Sequence, residues 1–547
     1  HLGGVVISKN PITWLSPLEL SAKGVKILQF DKDDVEDLGL VKIDLLSLRT
    51  LGAVEDSLQF TKTTSELDYN AIPLDDTDTF KRLKCADTVG IFQLESPAQR
   101  GLQARLDAEN IEDIVASVAL IRPGPIKGNM VEPFIKRRKG EEEITYLDPR
   151  LESILKKTYG VVLFQEQVIE IASKIAGFTP GEADNLRRTM THGRSIEEMD
   201  KIGEVFVEKA AKSGVEEETA REIFECMKGY ASYGFCEAHA RAFATTAYKT
   251  GYLIEHYPAE FYGAILNNQP MGFYPVSTIC VEAKRHGIKV LGPSINYSGI
   301  DVSVQGDSVR VPFKMIKGMT RNAMESIVRA REEGGIFSSF ADFVKKVKID
   351  RDILRNLILC GAFDEFEVSR RILLWQSKDL QFANDNEQSG VLLDPICYQY
   401  PGFSESEFSV LEKVSYEYEI LGFGVSAHPM EICRDRLRSK GFVSSEELCQ
   451  VSPGSFVKVG GIPVRPHRPP TKSGKTVVFL SLEDEHGLID VTCFENVYKK
   501  HGQFLFPGEI LPLGIWGQVQ KRGNTFSVVA KTVFPLSYVL TPKTSRQ

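Results

Sequence analysis

The stretch GLVKIDLLSLRT, residues 39–50, sets a charged pair, Lys42 and Asp44, inside an otherwise apolar run. Side chains alternate along a strand. Val41, Ile43 and Leu45 then line one face, and Leu40, Lys42, Asp44 and Leu46 line the other. The apolar face suits packing on a core. The other displays an ammonium and a carboxylate on a short rigid support. Taken alone, the stretch fits two readings: an exposed ion pair on a half-buried strand, which is the commoner case, or a carboxylate held out for chemistry.

Around it lie 547 residues, enough for about three or four domains at roughly 150 residues each. A composition of 42% hydrophobic and 26% charged residues is that of an ordinary globular chain. No run of ~18 apolar residues occurs, so no membrane span is expected. No signal peptide opens the chain. It begins with His1 inside HLGGVVISKNP, which reads like the interior of a folded domain, so a fragment is expected. The nine cysteines show no C-x-x-C spacing, which argues against a zinc ribbon and suits reduced thiols in the cytoplasm. With a formal charge of −8 there is no overall pull toward nucleic acid. A binder of this composition segregates its basic residues locally.

The expected fold class is multidomain α+β. Residues 1–50 read as short strands, GGVVIS, VKILQF and LVKIDLL. Residues 51–300 are mostly helical, punctuated by glycine and proline. Thr179, Pro180 and Glu182 mark one helix start as a capping box. Residues 301–375 hold two similar helical units, each meeting a small turn, IKGM around Gly318 and LCGA around Gly361. Residues 376–450 are expected as a linker, losing periodicity over 376–410. In residues 451–540 five strands appear, with a short helical insert, ENVYKKHG, after the third. That order is the one of an oligonucleotide-binding barrel.

Several clusters could carry chemistry. Arg122 precedes Pro123-Gly124-Pro125, a rigid setting that suits anion binding. The run Lys136–Lys139 reads as a solvated face or a phosphate patch. Arg187 and Arg188 sit mid-helix about 100° apart, able to flank one polyphosphate, or to serve as one ion-paired and one solvated arginine. His239, Phe243, Thr246 and Thr250 share a helix face, either as core or as a stacking surface. The turns at Gly318 and Gly361 fit helix-hairpin-helix modules offering N–H groups to DNA phosphates, or plain αα-hairpins. In the barrel, Phe456, Phe494 and Trp516 are candidate stacking groups, with Lys458, Arg465 and Arg468 for the backbone.

In sequence order, HLGGVVIS, GLVKIDLLSLRTLG, DTVGIFQLESPAQRG, IRPGP, YGVVLFQEQV, ADNLRRTM, YGFCEAHARAFA and HYPAEF closely resemble the bacterial C-family DNA polymerase, the polymerase III alpha subunit. The resemblance implies the carboxy-terminal part of a palm (1–50), helical fingers (51–300), a tandem helix-hairpin-helix domain (301–375), a linker with a possible clamp-binding region (376–450) and an oligonucleotide-binding domain (451–540). It implies templated nucleotidyl transfer, with primer-template DNA, deoxynucleoside triphosphates and other replisome subunits as partners. Asp44 matches a catalytic, metal-holding palm aspartate, one of a set that holds two Mg²⁺ ions, and Lys42 its active-site neighbour. Arg187 and Arg188 match the finger arginines on the incoming triphosphate, His239 the histidine near the nucleotide, and Arg122 joins this nucleotide-binding group.

The departures are specific. The family carries two further palm aspartates, yet Asp31, Asp33, Asp34 and Asp37 sit in a connecting turn, FDKDDVED. NNQPMGFYP and SRRILLWQ look closer to error-prone or secondary members. QSGVLL, residues 388–393, occupies the sliding-clamp region without the usual aromatic. The expectation is therefore a polymerase fragment that is inactive alone. The rival is a non-catalytic DNA-binding or clamp-associated accessory protein built from the same modules.

Overall fold

The computed structural model describes residues 4–21, 24–43, 45, 47–62, 67–121, 130–192, 196–231, 235–384, 407–469, 474–506 and 511–537. Two compact units result, His1–Gly52 and Ala53–Gln547.

In the first unit the elements are β1 (Val5–Ile7), β2 (Leu18–Leu20), β3 (Lys26–Leu28), α1 (Lys32–Asp37) and β4 (Val41–Ile43). β1 pairs antiparallel with β4, placing Val6 opposite Lys42, and β2 pairs with β3. The strands fall where alternation put them. The core expected beneath their apolar face does not: Val5, Ile7, Val41 and Ile43 are all at least 40% exposed. Two short ribbons and one six-residue helix offer too little surface to bury them.

The chain continues through α2 (Arg49–Thr61), α3 (Thr77–Lys84), α4 (Pro97–Leu106), α5 (Ile111–Leu120), α6 (Val131–Arg138), α7 (Gln165–Ala176), α8 (Pro180–His192), α9 (Ile196–Lys212), α10 (Glu217–Ala231), α11 (Glu237–His256), α12 (Pro258–Asn267) and α13 (Val276–Arg285). Local chemistry sets several of these starts. At α8, the Thr179 amide donates to Glu182 Oε2 at 2.9 Å and Pro180 takes the first helical position. Ser96 caps α4 with its hydroxyl, accepting from the Gln99 amide. Among the described residues, these helices contribute to two hydrophobic cores. Leu151, Ile171, Phe206, Phe224 and Met227 close a core over α7 to α10. A larger core gathers Leu83, Ile114, Tyr248 and Phe261 with Val309, Phe313, Phe343 and Phe363. Residue 300, expected as a boundary, lies within the span of that larger core.

Beyond it come β5 (Lys289–Leu291), β6 (Ser303–Gln305), β7 (Ser308–Arg310), α14 (Arg321–Gly334), α15 (Phe340–Lys346), α16 (Arg351–Leu359) and α17 (Arg370–Asn384). Among the described residues of the expected linker, helices form. α17 reaches Asn384, and α18 (Val410–Leu421) and α19 (Pro429–Arg438) follow. The reason is long-range: Glu417 is fully buried and meets Arg370 at 3.3 Å, which the local sequence does not reveal. QSGVLL lies outside the described residues.

The last domain contains β8 (Phe442–Val443), β9 (Phe456–His467), β10 (Val477–Asp484), β11 (Gly487–Phe494), α20 (Glu495–Leu505), β12 (Leu513–Arg522) and β13 (Thr525–Pro535). The order β10-β11-β13-β12-β9 closes because β9 also pairs with β10, giving the five-stranded barrel expected, with β8 added beside β9. The helix after the third barrel strand is α20. Among the described residues, no helix is long and apolar enough to cross a membrane.

Candidate functional site

Arg187 and Arg188 both reach back along α8 to one carboxylate. Arg187 lies 2.8 Å from Asp184 Oδ1 and Arg188 2.9 Å from Asp184 Oδ2. Three- and four-residue spacing makes this possible on a helix. The Arg187 hydrogen bond and the two positive charges hold the Asp184 carboxyl below its usual range. Arg187 is half-buried, and Arg188 is exposed.

The guanidinium of Arg187 also donates to Gln165 Oε1 at 3.4 Å, at the start of α7. Gln165 donates its amide to the Phe235 carbonyl at 3.0 Å, just before α11. Phe235 then meets the His239 ring edge-on at 5.2 Å, and His239 packs on Phe243 at 4.1 Å. Phe92 extends the row, 5.1 Å from Phe243, and its amide donates to the Thr250 hydroxyl. Glu166 accepts the first amide of α11, from Glu237, where an anion suits the helix dipole. Motifs about twenty and fifty residues apart in sequence thus meet at the α7–α8–α11 junction. His239 itself is exposed, not core, while Thr250 is buried.

Sequence reasoning missed Asp184, Gln165 and Phe92. Asp184 was readable, since its spacing to both arginines is helical. Gln165 and Phe92 were not, because only the fold brings them here. Of the basic run 136–139, Arg138 is an internal strut. It clamps Asp113 at 2.7 Å and donates to the carbonyls of Leu106 and Asp107.

Lys42 is exposed on β4. Asp44 and Arg122 lie outside the described residues. Asp31 and Asp34 form a reciprocal cap on α1, each accepting from the other's amide, which accounts for those carboxylates as helix-start groups. Among the described residues, Asp87, Glu282 and His286 form the one trio with metal-like spacing. Arg82 and Arg285 already neutralise it by direct contact with Asp87, so a cation does not fit there.

The two glycine turns differ. Gly318 is exposed at a φ of +79° just ahead of α14, whose cap Thr320 accepts from the Ala323 amide. Among the described residues no group accepts from the Gly318 amide, and Lys317 and Arg321 flank it, both exposed. Gly361, expected to offer its amide to phosphate, instead ends α16. Its amide donates to the Ile358 carbonyl at 3.1 Å, and a Cβ there would collide with Arg370 and Asp364. A helix C-terminus presents carbonyls, the wrong polarity for phosphate.

In the barrel, Trp516 and Phe456 are 41% and 52% exposed and stack at 5.0 Å. Lys458, directly opposite Trp516 on β9, stays exposed and donates to the Lys440 carbonyl. Arg465 is exposed, with its guanidinium over Phe273, 5.3 Å from the ring. Nearby, half-buried Glu95 accepts from the Phe273 and Gly90 amides, and desolvation pushes its carboxyl up to about 7. Arg468 holds the Tyr498 hydroxyl at 2.9 Å, and Phe494 is 48% exposed at the end of β11.

These parts define a multidomain α+β protein with nucleic-acid-binding modules. Residues 1–47 match the bacterial DNA polymerase III alpha NTPase domain, and 50–214 match the finger domain of that subunit. Residues 287–373 match a helix-hairpin-helix motif, and 450–536 an OB-fold nucleic acid binding domain. The chain is 48% identical to an error-prone DNA polymerase of Symbiobacterium thermophilum, over 96% of this chain and 52% of that protein. It is 36% identical to one of Bdellovibrio bacteriovorus, over 98% of this chain and 52% of that protein. One of Pseudomonas fluorescens is 35% identical, over 99% and 52%. The chain belongs to the bacterial C family of the polymerase III alpha subunit, and its curated relatives named here are error-prone members. It spans about half the length of the curated relatives it matches.

Proposed function

We propose that this chain is part of a DNA-directed DNA polymerase of the error-prone type, acting in the cytoplasm on primer-template DNA and deoxynucleoside triphosphates. The observation that carries the reading is the junction of α7, α8 and α11, which gathers Arg187, Arg188 and His239 from separate motifs. Paired guanidinium forks suit a triphosphate, and an exposed histidine–phenylalanine row suits a base. Asp44 would share in holding Mg²⁺, which neutralises phosphoryl charge when bound. Lys42 would lie beside it, and Arg122 would add to the anion site. A single carboxylate matching the palm set leaves the 547-residue chain inactive by itself in this proposal.

Asp184 restrains both arginines, so in the full-length protein Arg187→Ala and Arg188→Ala should raise KM for nucleotide by roughly tenfold or more, from a charge-assisted contact of about 1.5–3 kcal/mol. DNA affinity should change far less. Equal losses in steady-state nucleotide titrations and DNA-binding assays would put these arginines on the DNA backbone or in the scaffold.

The nucleic-acid reading is tested on the chain as it stands, by duplex binding across a salt series. Lys317, Gly318 and Arg321 would meet phosphates without reading sequence. Neutralising about two phosphates with Lys317 and Arg321 predicts a roughly 12-fold drop in affinity between 50 and 200 mM salt. An affinity flat across that range, or no binding at low salt, would favour an accessory role through protein contacts. Sliding-clamp and replisome contacts belong to the same proposal for the full-length protein.

A further inference from the structure

We infer that single-stranded DNA runs along the β9–β12 wall of the barrel, over Phe456 and Trp516 and down β12 to Arg522. This rests on reading the barrel as a nucleic-acid-binding domain, and it assigns the wall and the residues.

The side of the barrel formed by β10 and β11 is taken by the helical body. Arg100 on α4 pairs with Asp490 on β11, which also accepts from Ser481 at 2.6 Å. Glu483 on β10 is buried and accepts from Thr278 of α13, with His428 3.3 Å away. Asp484 accepts from Ser445 and Arg434. The tip of the β12–β13 hairpin is docked too, while Lys521 and Arg522 just before it stay exposed: Asn524 donates to the Lys84 carbonyl, and Gly523 packs so closely on the Ala104 carbonyl that no side chain would fit. A strand of DNA on that side would have to displace buried, paired carboxylates.

The β9–β12 wall is open. Phe456 and Trp516 lie nearly parallel, 23° apart, with Lys458 facing out beside them. A pair of exposed, parallel rings next to an ammonium is the arrangement on which bases stack without sequence preference. Down β12, the outward row continues as Gln518, Gln520 and Arg522, each two residues on, so roughly 6.5–7 Å apart. Gln518 lies opposite Phe456 in register and ties the row to the Gly454 carbonyl at 2.9 Å. Pro453 and Gly454 wall an open cleft of about 450 Å³ over this row, and Lys521 and Arg522 close its far end. Aromatic stacking at one end, amides along the floor and two cations at the other make one continuous track for a short polyanion with bases.

The test uses the 547-residue chain and a short fluorescein-labelled oligodeoxythymidylate, read by anisotropy. The double variant Phe456→Ala/Trp516→Ala should lose roughly tenfold or more in affinity. Lys521→Ala/Arg522→Ala should flatten the log–log salt slope by about 1.4. Phe494→Ala and Arg468→Ala, on the β11–α20 side, should stay within about twofold of the parent. All these side chains are solvent-facing, and circular dichroism checks that the barrel still folds. A direct readout comes from Trp14→Phe/Trp375→Phe, which leaves Trp516 as the sole tryptophan; its emission should be quenched on adding oligonucleotide. An unchanged affinity in the Phe456/Trp516 variant, no quenching, or losses at Phe494 and Arg468 instead, overturns the assignment of the wall. No binding by the parent chain at low salt overturns the single-strand reading of the barrel itself, and the track with it.

Discussion

Asp44→Asn in the full-length protein that carries this chain is expected to reduce primer extension by on the order of a hundredfold or more, about 2.7 kcal/mol in the barrier. Asparagine keeps the shape of the side chain and removes the charge with which Asp44 would hold Mg²⁺. DNA affinity should stay within about twofold, because a metal-holding role leaves the basic residues of the DNA-binding modules unchanged. The comparison is single-turnover extension of a labelled primer by parent and variant at saturating DNA. A variant retaining a tenth or more of the parent rate, an effect of about 1.4 kcal/mol or less, would remove Asp44 from the metal set. The 547-residue chain alone should show no extension with Mg²⁺ and all four nucleotides. Extension by a preparation free of other polymerases would overturn the need for the two further aspartates.

The second large effect falls on stability. Arg370 is 3% exposed, lies 2.6 Å from Asp364 and 3.3 Å from Glu417, and donates to the Leu359 carbonyl. Glu417 is fully buried and also serves Val425 and Ser426. Arg370→Ala leaves that carboxylate without its cation, and breaking one side of a buried pair costs about 3–5 kcal/mol. Because so large a chain does not unfold in one step, the measurement is calorimetric, on the transition that contains α16 to α18. At about 2–4 °C per kcal/mol its midpoint should fall by roughly 10 °C. The double variant Arg370→Met/Glu417→Gln should fall by less than the two single variants added together, since the two changes made together leave neither partner's charge stranded. A midpoint within a degree of the parent for Arg370→Ala would show that solvent reaches Glu417.

What the sequence determined by itself is whatever depends on neighbours along the chain. Strand alternation placed β4 and the five barrel strands, and the Thr179–Glu182 spacing placed the start of α8, because backbone pairing and capping are short-range and leave a readable period. The ordered series of motifs carried the family. The Asp184 bridge to Arg187 and Arg188 was also within reach, three and four residues away. Tertiary structure alone decided the rest. Gly318 and Gly361 sit in similar small turns, yet one precedes a helix with its amide open and the other ends a helix under a buried arginine. Arg465 and Lys458 are both exposed basic residues on β9, but the guanidinium of the first lies over Phe273 of the helical body while the second stands opposite Trp516 on the open wall. In the described part of the expected linker, α18 is anchored by Glu417, which meets Arg370 some 47 residues away. In each case the partner that fixes the role lies far along the chain, and a side chain's electrostatic surroundings are set by distance in space, which no local pattern encodes.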